Sequence, residues 1–254
     1  MSRASAGGAA SRAPTRGETA GAATGSAGDG VATGSSRVGA RPGGSAAATG
    51  GALPDGFVYL DEAVPGVRWD AKYATSDNFT GAPVDGYLAN RIVGTRELCA
   101  ALGLVQAEAA ALGLGVFVWD AYRPQRAVDR FAQWAQLPED GRTKRRFYPH
   151  VDKRDLFAAG YVAARSAHSR GGAVDLTLRD LATGALLDMG TGFDFMDPLS
   201  RHGAGGLDPV AARRRRLLRQ LMEACGFAAY EPEWWHYTLV DEPYPDAYFD
   251  FAVE

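Results

Sequence analysis

From Leu53 onward, apolar residues recur at two spacings, one helical and one strand-like. Across residues 95–112, Leu98, Leu102, Val105, Ala109 and Leu112 fall on one side of a helix. Thr95 stands where a capping hydroxyl is needed, and Gly113 and Gly115 end the run. Val116-Phe117-Val118-Trp119 then reads as a buried strand, closed by a turn over residues 120–124. Pro124, at the favoured first helical position, opens a second helix that reaches Gln136. Residues 173–178 alternate as a strand. Pro209 opens a third helix, with Val210, Leu217, Leu221 and Cys225 at helical spacing and Gly226 as its stop. Residues 234–240 form a final strand. No internal repeat and no Gly-rich phosphate loop interrupts this order, so the pattern predicts a mixed α+β domain over residues 53–254.

Residues 1–52 differ from all that follows. They contain no Leu, Ile, Phe, Tyr or Trp, and such a stretch cannot bury enough apolar surface to offset its chain entropy. A disordered low-complexity tail, or an over-extended gene start, is expected. Arg3, Arg12 and Arg16 imitate the charged start of a secretory signal, but no apolar core segment follows them. The protein is therefore expected in the cytoplasm, with Cys99 and Cys225 reduced.

Composition narrows the function classes. The chain of 254 residues is 46% hydrophobic and 22% charged, with a formal charge of −3. The tail carries a surplus of +3, leaving −6 on the domain. No electrostatic footprint for nucleic acid and no membrane-spanning run are present. Arg213 to Arg216 reads as a solvated helix face, and Tyr244, Tyr248, Phe249 and Phe251 as packing residues. Two cysteines make neither a disulfide framework nor a Cys-rich metal site.

Two of the four histidines keep unusual company. His168 precedes a glycine turn, and Asp175 lies just inside the following strand. His236 follows Glu233-Trp234-Trp235; in a strand beginning at Trp234, Trp234 and His236 share one face, and Glu233 leans toward the same place. Two neutral imidazoles and one carboxylate, with a fourth position left open, are what a catalytic zinc requires. Glu233 suits the non-ligating acid–base beside it. Taken singly, each histidine reads more readily as a structural imidazole; the joint pattern favours the metal. The helical H-E-x-x-H signature is absent. His150 and His202 have no partner at ligand spacing.

The run from Ser166-Ala167-His168 to Asp175, followed by Glu233-Trp234-Trp235-His236, resembles the D-Ala-D-Ala dipeptidases of the vancomycin-resistance type, in the zinc peptidase group shared with D-Ala-D-Ala carboxypeptidases and hedgehog-like domains. The likeness continues through Arg68-Trp69-Asp70-Ala71-Lys72-Tyr73, Asp120-Ala121-Tyr122-Arg123-Pro124 and Asp188-Met189-Gly190-Thr191-Gly192-Phe193-Asp194, in family order. It implies a small antiparallel sheet carrying the zinc site, with helices packed around it. It implies one zinc per chain on His168, Asp175 and His236, with Glu233 as general base and then acid. Arg123, supported by Asp120, would stabilise the oxyanion; Asp194 would take the substrate ammonium; Ser166 and Tyr73 would bond the substrate's termini, which of the two being left open. The implied activity is hydrolysis of the dipeptide D-alanyl-D-alanine, limiting cell-wall precursor synthesis in glycopeptide resistance or in wall-dipeptide catabolism. The partner is that small dipeptide, without nucleic acid or membrane, and homo-oligomerisation is left open. The alternatives are a D-Ala-D-Ala carboxypeptidase and a non-catalytic zinc-stabilised binding module.

Overall fold

The computed structural model describes residues 52–254; the tail expected over residues 1–52 lies, but for Ala52, outside the described residues. In chain order the elements are β1 (Phe57–Tyr59), α1 (Leu60–Ala63), β2 (Arg68–Trp69), β3 (Val93–Thr95), α2 (Arg96–Ala111), β4 (Leu114–Asp120), α3 (Gln125–Gln136), α4 (Lys144–Phe147), β5 (Ala173–Asp180), α5 (Pro209–Ala224), β6 (Phe227–Ala229) and β7 (His236–Leu239). The central sheet runs β2-β4-β5-β7-β6, and β1 and β3 pair separately. The expected antiparallel arrangement holds except at one edge, where β2 lies parallel to β4.

Helix α2 forms where its apolar spacing places it. Thr95 caps it by accepting from the Leu98 backbone N–H at 3.3 Å, and Leu98, Leu102, Val105 and Ala109 are fully buried. Leu112, expected on that face, stands past the last turn and is exposed. These side chains meet Val116 and Val118 of β4 and Val174, Leu176 and Leu178 of β5 in one core. Truncating a residue such as Leu102 to Ala would cost about 2–5 kcal/mol. Because strand side chains alternate, burying Val174, Leu176 and Leu178 against the helices turns Asp175 and Thr177 to the opposite face. A second, largely aromatic cluster with Tyr73, Phe79, Phe131 and Trp134 completes the fold. The C-terminal Phe249 and Phe251 each meet Phe57 at 4.9 Å between ring centroids, as packing residues should.

Helix α5 corrects the apolar phase read from sequence. Asp208 caps it, Val210 is exposed, and the buried stripe is Ala211, Arg215, Leu218, Leu221 and Met222. Arg215 is thus not on a solvated face. Its guanidinium donates to the carbonyls of Met189 (2.7 Å), Leu199 (2.8 Å) and Arg201 (3.1 Å) and to Thr191 Oγ1 (3.0 Å). A hydrophobicity count rejects a stripe containing arginine, whereas five fixed donors can satisfy loop carbonyls that no helix or sheet serves.

Candidate active site

A bulge sets the site's foundation. Pairing of β4 with β5 shifts between Val118 and Asp120, so that Asp120 stands opposite Asp175, and Asp175 stands opposite His236 on β7. Three ionisable residues from three strands therefore share one row on one face.

His168 reaches this row from a short turn, Ala167–Arg170, whose first residue is capped by Ser166: the Ser166 hydroxyl accepts from the His168 backbone N–H at 3.2 Å. Gly171 closes the turn at φ +75, and a Cβ there would stand 2.5 Å from the Phe57 ring and 2.8 Å from Thr95 Cγ2. Only glycine fits both the left-handed backbone and the close approach. The His168 imidazole Nδ1 lies 2.6 Å from the Ala121 carbonyl, which can only accept, so Nδ1 carries the proton and Nε2 presents its lone pair.

That lone pair points at the row. His168 Nε2 lies 3.1 Å from His236 Nδ1 and 3.3 Å from Asp175 Oδ2, and His236 Nδ1 lies 3.0 Å from Asp175 Oδ1. Ligand atoms of a tetrahedral zinc with bonds of about 2.0 Å sit about 3.3 Å apart. The two imidazole nitrogens stand at that spacing, and with one Asp175 oxygen the three donors lie within 4.8 Å of one another, so the set suits such an ion. Burial lowers the pKa of His236, favouring the neutral ring a metal needs. Burial pushes Asp175 up, but in the metal-free cluster the charge and hydrogen bonds that the His168 and His236 imidazoles offer when protonated bring it below the usual carboxylate range.

Glu233 arrives differently from the sequence expectation. β7 begins at His236, and residues 233–236 form a turn in which His236 N–H donates to the Glu233 carbonyl at 3.2 Å. Trp234 and Trp235 are consequently both buried in the core, with Trp234 Nε1 donating to Thr191 Oγ1 at 2.8 Å. The turn still delivers Glu233 to the cavity that His236 faces. Desolvation there, with the charges of Asp175 and Asp194, raises its pKa well above an ordinary carboxyl's.

This cavity, about 290 Å³, is walled by Tyr73, Arg123, Ser166, Asp194 and Glu233 besides the three candidate ligands. Arg123 Nε donates to Asp120 Oδ2 at 2.9 Å, and a terminal nitrogen donates to Asp175 Oδ2 at 3.3 Å. Asp120 lies behind it, wholly buried, and accepts from Tyr87 Oη at 2.7 Å. Asp194 has φ +56, the one non-glycine residue among the described residues with positive φ, and accepts from Tyr73 Oη at 2.9 Å. His150 and His202 do not border the cavity.

The profile of the peptidase M15 family described as D-Ala-D-Ala dipeptidase matches residues 54–254. The chain belongs to this family. A D-alanyl-D-alanine dipeptidase of Streptomyces coelicolor is 62% identical over 197 residues, spanning 78% of this chain and 98% of the relative. One from Enterococcus faecalis is 56% identical over 201 residues, spanning 79% of this chain and all of the relative. One from Escherichia coli is 36% identical, spanning 74% of this chain and 87% of the relative.

Within this peptidase M15 chain, Tyr87 escapes sequence reading. It contacts Asp120 from 33 positions away, and no local pattern marks it. Arg215 escapes as well, although its spacing of four from Ala211 and three from Leu218 was a usable signal.

Proposed function

We propose that this chain hydrolyses D-alanyl-D-alanine to two D-alanines, with one zinc per chain on His168, Asp175 and His236. The observation that carries the reading is the convergence of one ligand atom each from His168, Asp175 and His236 to within 4.8 Å of one another, beside a carboxyl, Glu233, that shares their cavity. A structural metal needs neither Glu233 nor Arg123 there, so the arrangement favours catalysis over a binding module.

A zinc held by His168, Asp175 and His236 would keep a net positive charge, acidify water and polarise a carbonyl oxygen. The chain's own residues do the rest. Glu233, which borders the same cavity, takes the proton of the attacking water and passes it to the leaving amine. Arg123, fixed by Asp120, faces the oxygen on which negative charge develops. Asp194 takes the ammonium of the substrate, and Tyr73 and Ser166 bond its termini. Residues 53–254 suffice as the catalytic unit, working in the cytoplasm; among the described residues no helix is long and apolar enough to cross a membrane. Removing the free dipeptide limits its supply to cell-wall precursors, whether in glycopeptide resistance or in catabolism.

The test is amine release from D-Ala-D-Ala, L-Ala-L-Ala and a pentapeptide ending in D-Ala-D-Ala, with and without chelator. Chelator-sensitive turnover of the first alone is expected. Preference for the pentapeptide would establish a carboxypeptidase, and no turnover of any would establish the binding module.

A further inference from the structure

A free dipeptide is charged at both ends, and among the residues assigned so far only Asp194 answers one of those charges, the ammonium. Three carboxylates border the cavity, Asp175, Asp194 and Glu233, against two guanidiniums, Arg123 and Arg165. Arg123 is already engaged by Asp120 and Asp175. Arg165 is not: among the described residues its guanidinium meets no carboxylate and rests on the Tyr248 ring, 4.8 Å from the centroid. The ring is itself held, since Arg170 donates to its hydroxyl at 3.5 Å while gripping Glu242 at 2.7 and 2.6 Å. The backbone just before Arg165 is pinned as well, with Gln125 Nε2 donating to the Ala164 carbonyl at 3.1 Å.

We propose that Arg165 determines specificity for a free C-terminal carboxylate, pairing with it while the neighbouring Ser166 hydroxyl donates to the same group. The inference rests on the dipeptidase reading. An exposed guanidinium parked on an aromatic face can turn to a carboxylate without breaking an ion pair, and its planar fork matches both oxygens. The cavity is then bordered by both an anion, Asp194, and a cation, Arg165, which suits a zwitterion and disfavours a ligand carrying one charge alone.

The experiment compares D-Ala-D-Ala with D-alanyl-D-alaninamide on the zinc-loaded full chain. The unmodified enzyme is expected to favour the acid. Arg165→Gln is expected to raise KM for the acid about tenfold or more with kcat within about twofold, and to leave the amide unaffected, so that the preference collapses. Arg165→Lys is expected to restore part of it. An acid-over-amide preference unchanged in Arg165→Gln would overturn the inference, as would an equal loss on both substrates, the mark of a structural role. An unmodified enzyme inert toward both substrates would overturn the dipeptidase reading and this inference with it.

Discussion

Tyr73 and Asp194, 121 positions apart in the chain, meet in a 2.9 Å hydrogen bond in which the phenol donates to the carboxylate. Both side chains are buried, and burial, then the charge of Asp175, pushes the Asp194 pKa up to about 8. The phenol oxygen keeps its lone pairs, so the pair offers an ammonium two acceptors at once. Until that cation arrives, Asp194 is held in surroundings that disfavour its charge.

A stability consequence follows for the metal-free protein. A carboxyl whose pKa is about 8 when folded and about 3.9 when unfolded binds more protons in the folded state between those values. Its contribution is full below about pH 4 and is lost as pH rises through about 8. Asp194→Asn removes this loss while keeping an oxygen for Tyr73. The variant is expected to melt roughly 5 °C or more above the parent at pH 8 and level with it near pH 4. Thermal melts across this range check it, and equal melting temperatures at pH 8 would refute it.

Metal binding and chemistry separate by residue. His168→Ala, Asp175→Ala and His236→Ala are each expected to lose zinc together with activity, because each removes one of three converging ligand atoms. Glu233→Ala is expected to retain about one zinc per chain yet lose about 10²-fold or more in kcat. Zinc content by elemental analysis beside turnover decides this. Metal loss in Glu233→Ala would make Glu233 a ligand and displace Asp175.

Arg123 depends on what lies behind it. Burial raises the Asp120 pKa, and the charge of Arg123 and the hydrogen bond from Tyr87 oppose that rise. Asp120→Asn keeps the shape but frees Arg123 to swing toward Asp175, so kcat is expected to fall about 10–100-fold with zinc retained. Tyr87→Phe, which removes one neutral donor, is expected to cost about 3–10-fold. Unchanged kcat in Asp120→Asn would remove Asp120 from the support of Arg123.

These dependencies mark where a sequence stops being legible. Helix α2, strands β4 and β5 and the stretches carrying His168, Asp175 and His236 announce themselves, because their spacing, caps and turn glycines are local signals. The bulge that sets Asp120 opposite Asp175 is a property of pairing and leaves no local trace. The start of β7 at His236 is hidden because Trp234 and Trp235 look like alternating strand residues, whereas both enter the core from a turn. The phase of α5 is hidden because its buried stripe contains a charge whose partners, the carbonyls of residues 189–201, become visible only in three dimensions. Tyr87 and the Tyr73–Asp194 bond are long-range contacts of the same kind.

Substrate length is the sharpest test of how the cavity is used. In the proposed reading Asp194 receives a free ammonium, and a substrate without one leaves this buried carboxyl without its cation. Acylating the substrate amine removes that cation and adds bulk to a cavity of about 290 Å³ already bordered by Tyr73 and Asp194. The two effects reinforce one another, so kcat/KM for D-Ala-D-Ala is expected to exceed that for N-acetyl-D-Ala-D-Ala by about 10³-fold or more. Such discrimination lets an enzyme destroy the free dipeptide without trimming longer precursors that end in the same residues. Asp194→Ala should narrow the gap chiefly by slowing dipeptide turnover, since the acetylated substrate never had the ammonium to lose. Comparable kcat/KM on the two substrates in the unmodified enzyme would remove Asp194 from ammonium recognition and put a carboxypeptidase ahead of the dipeptidase.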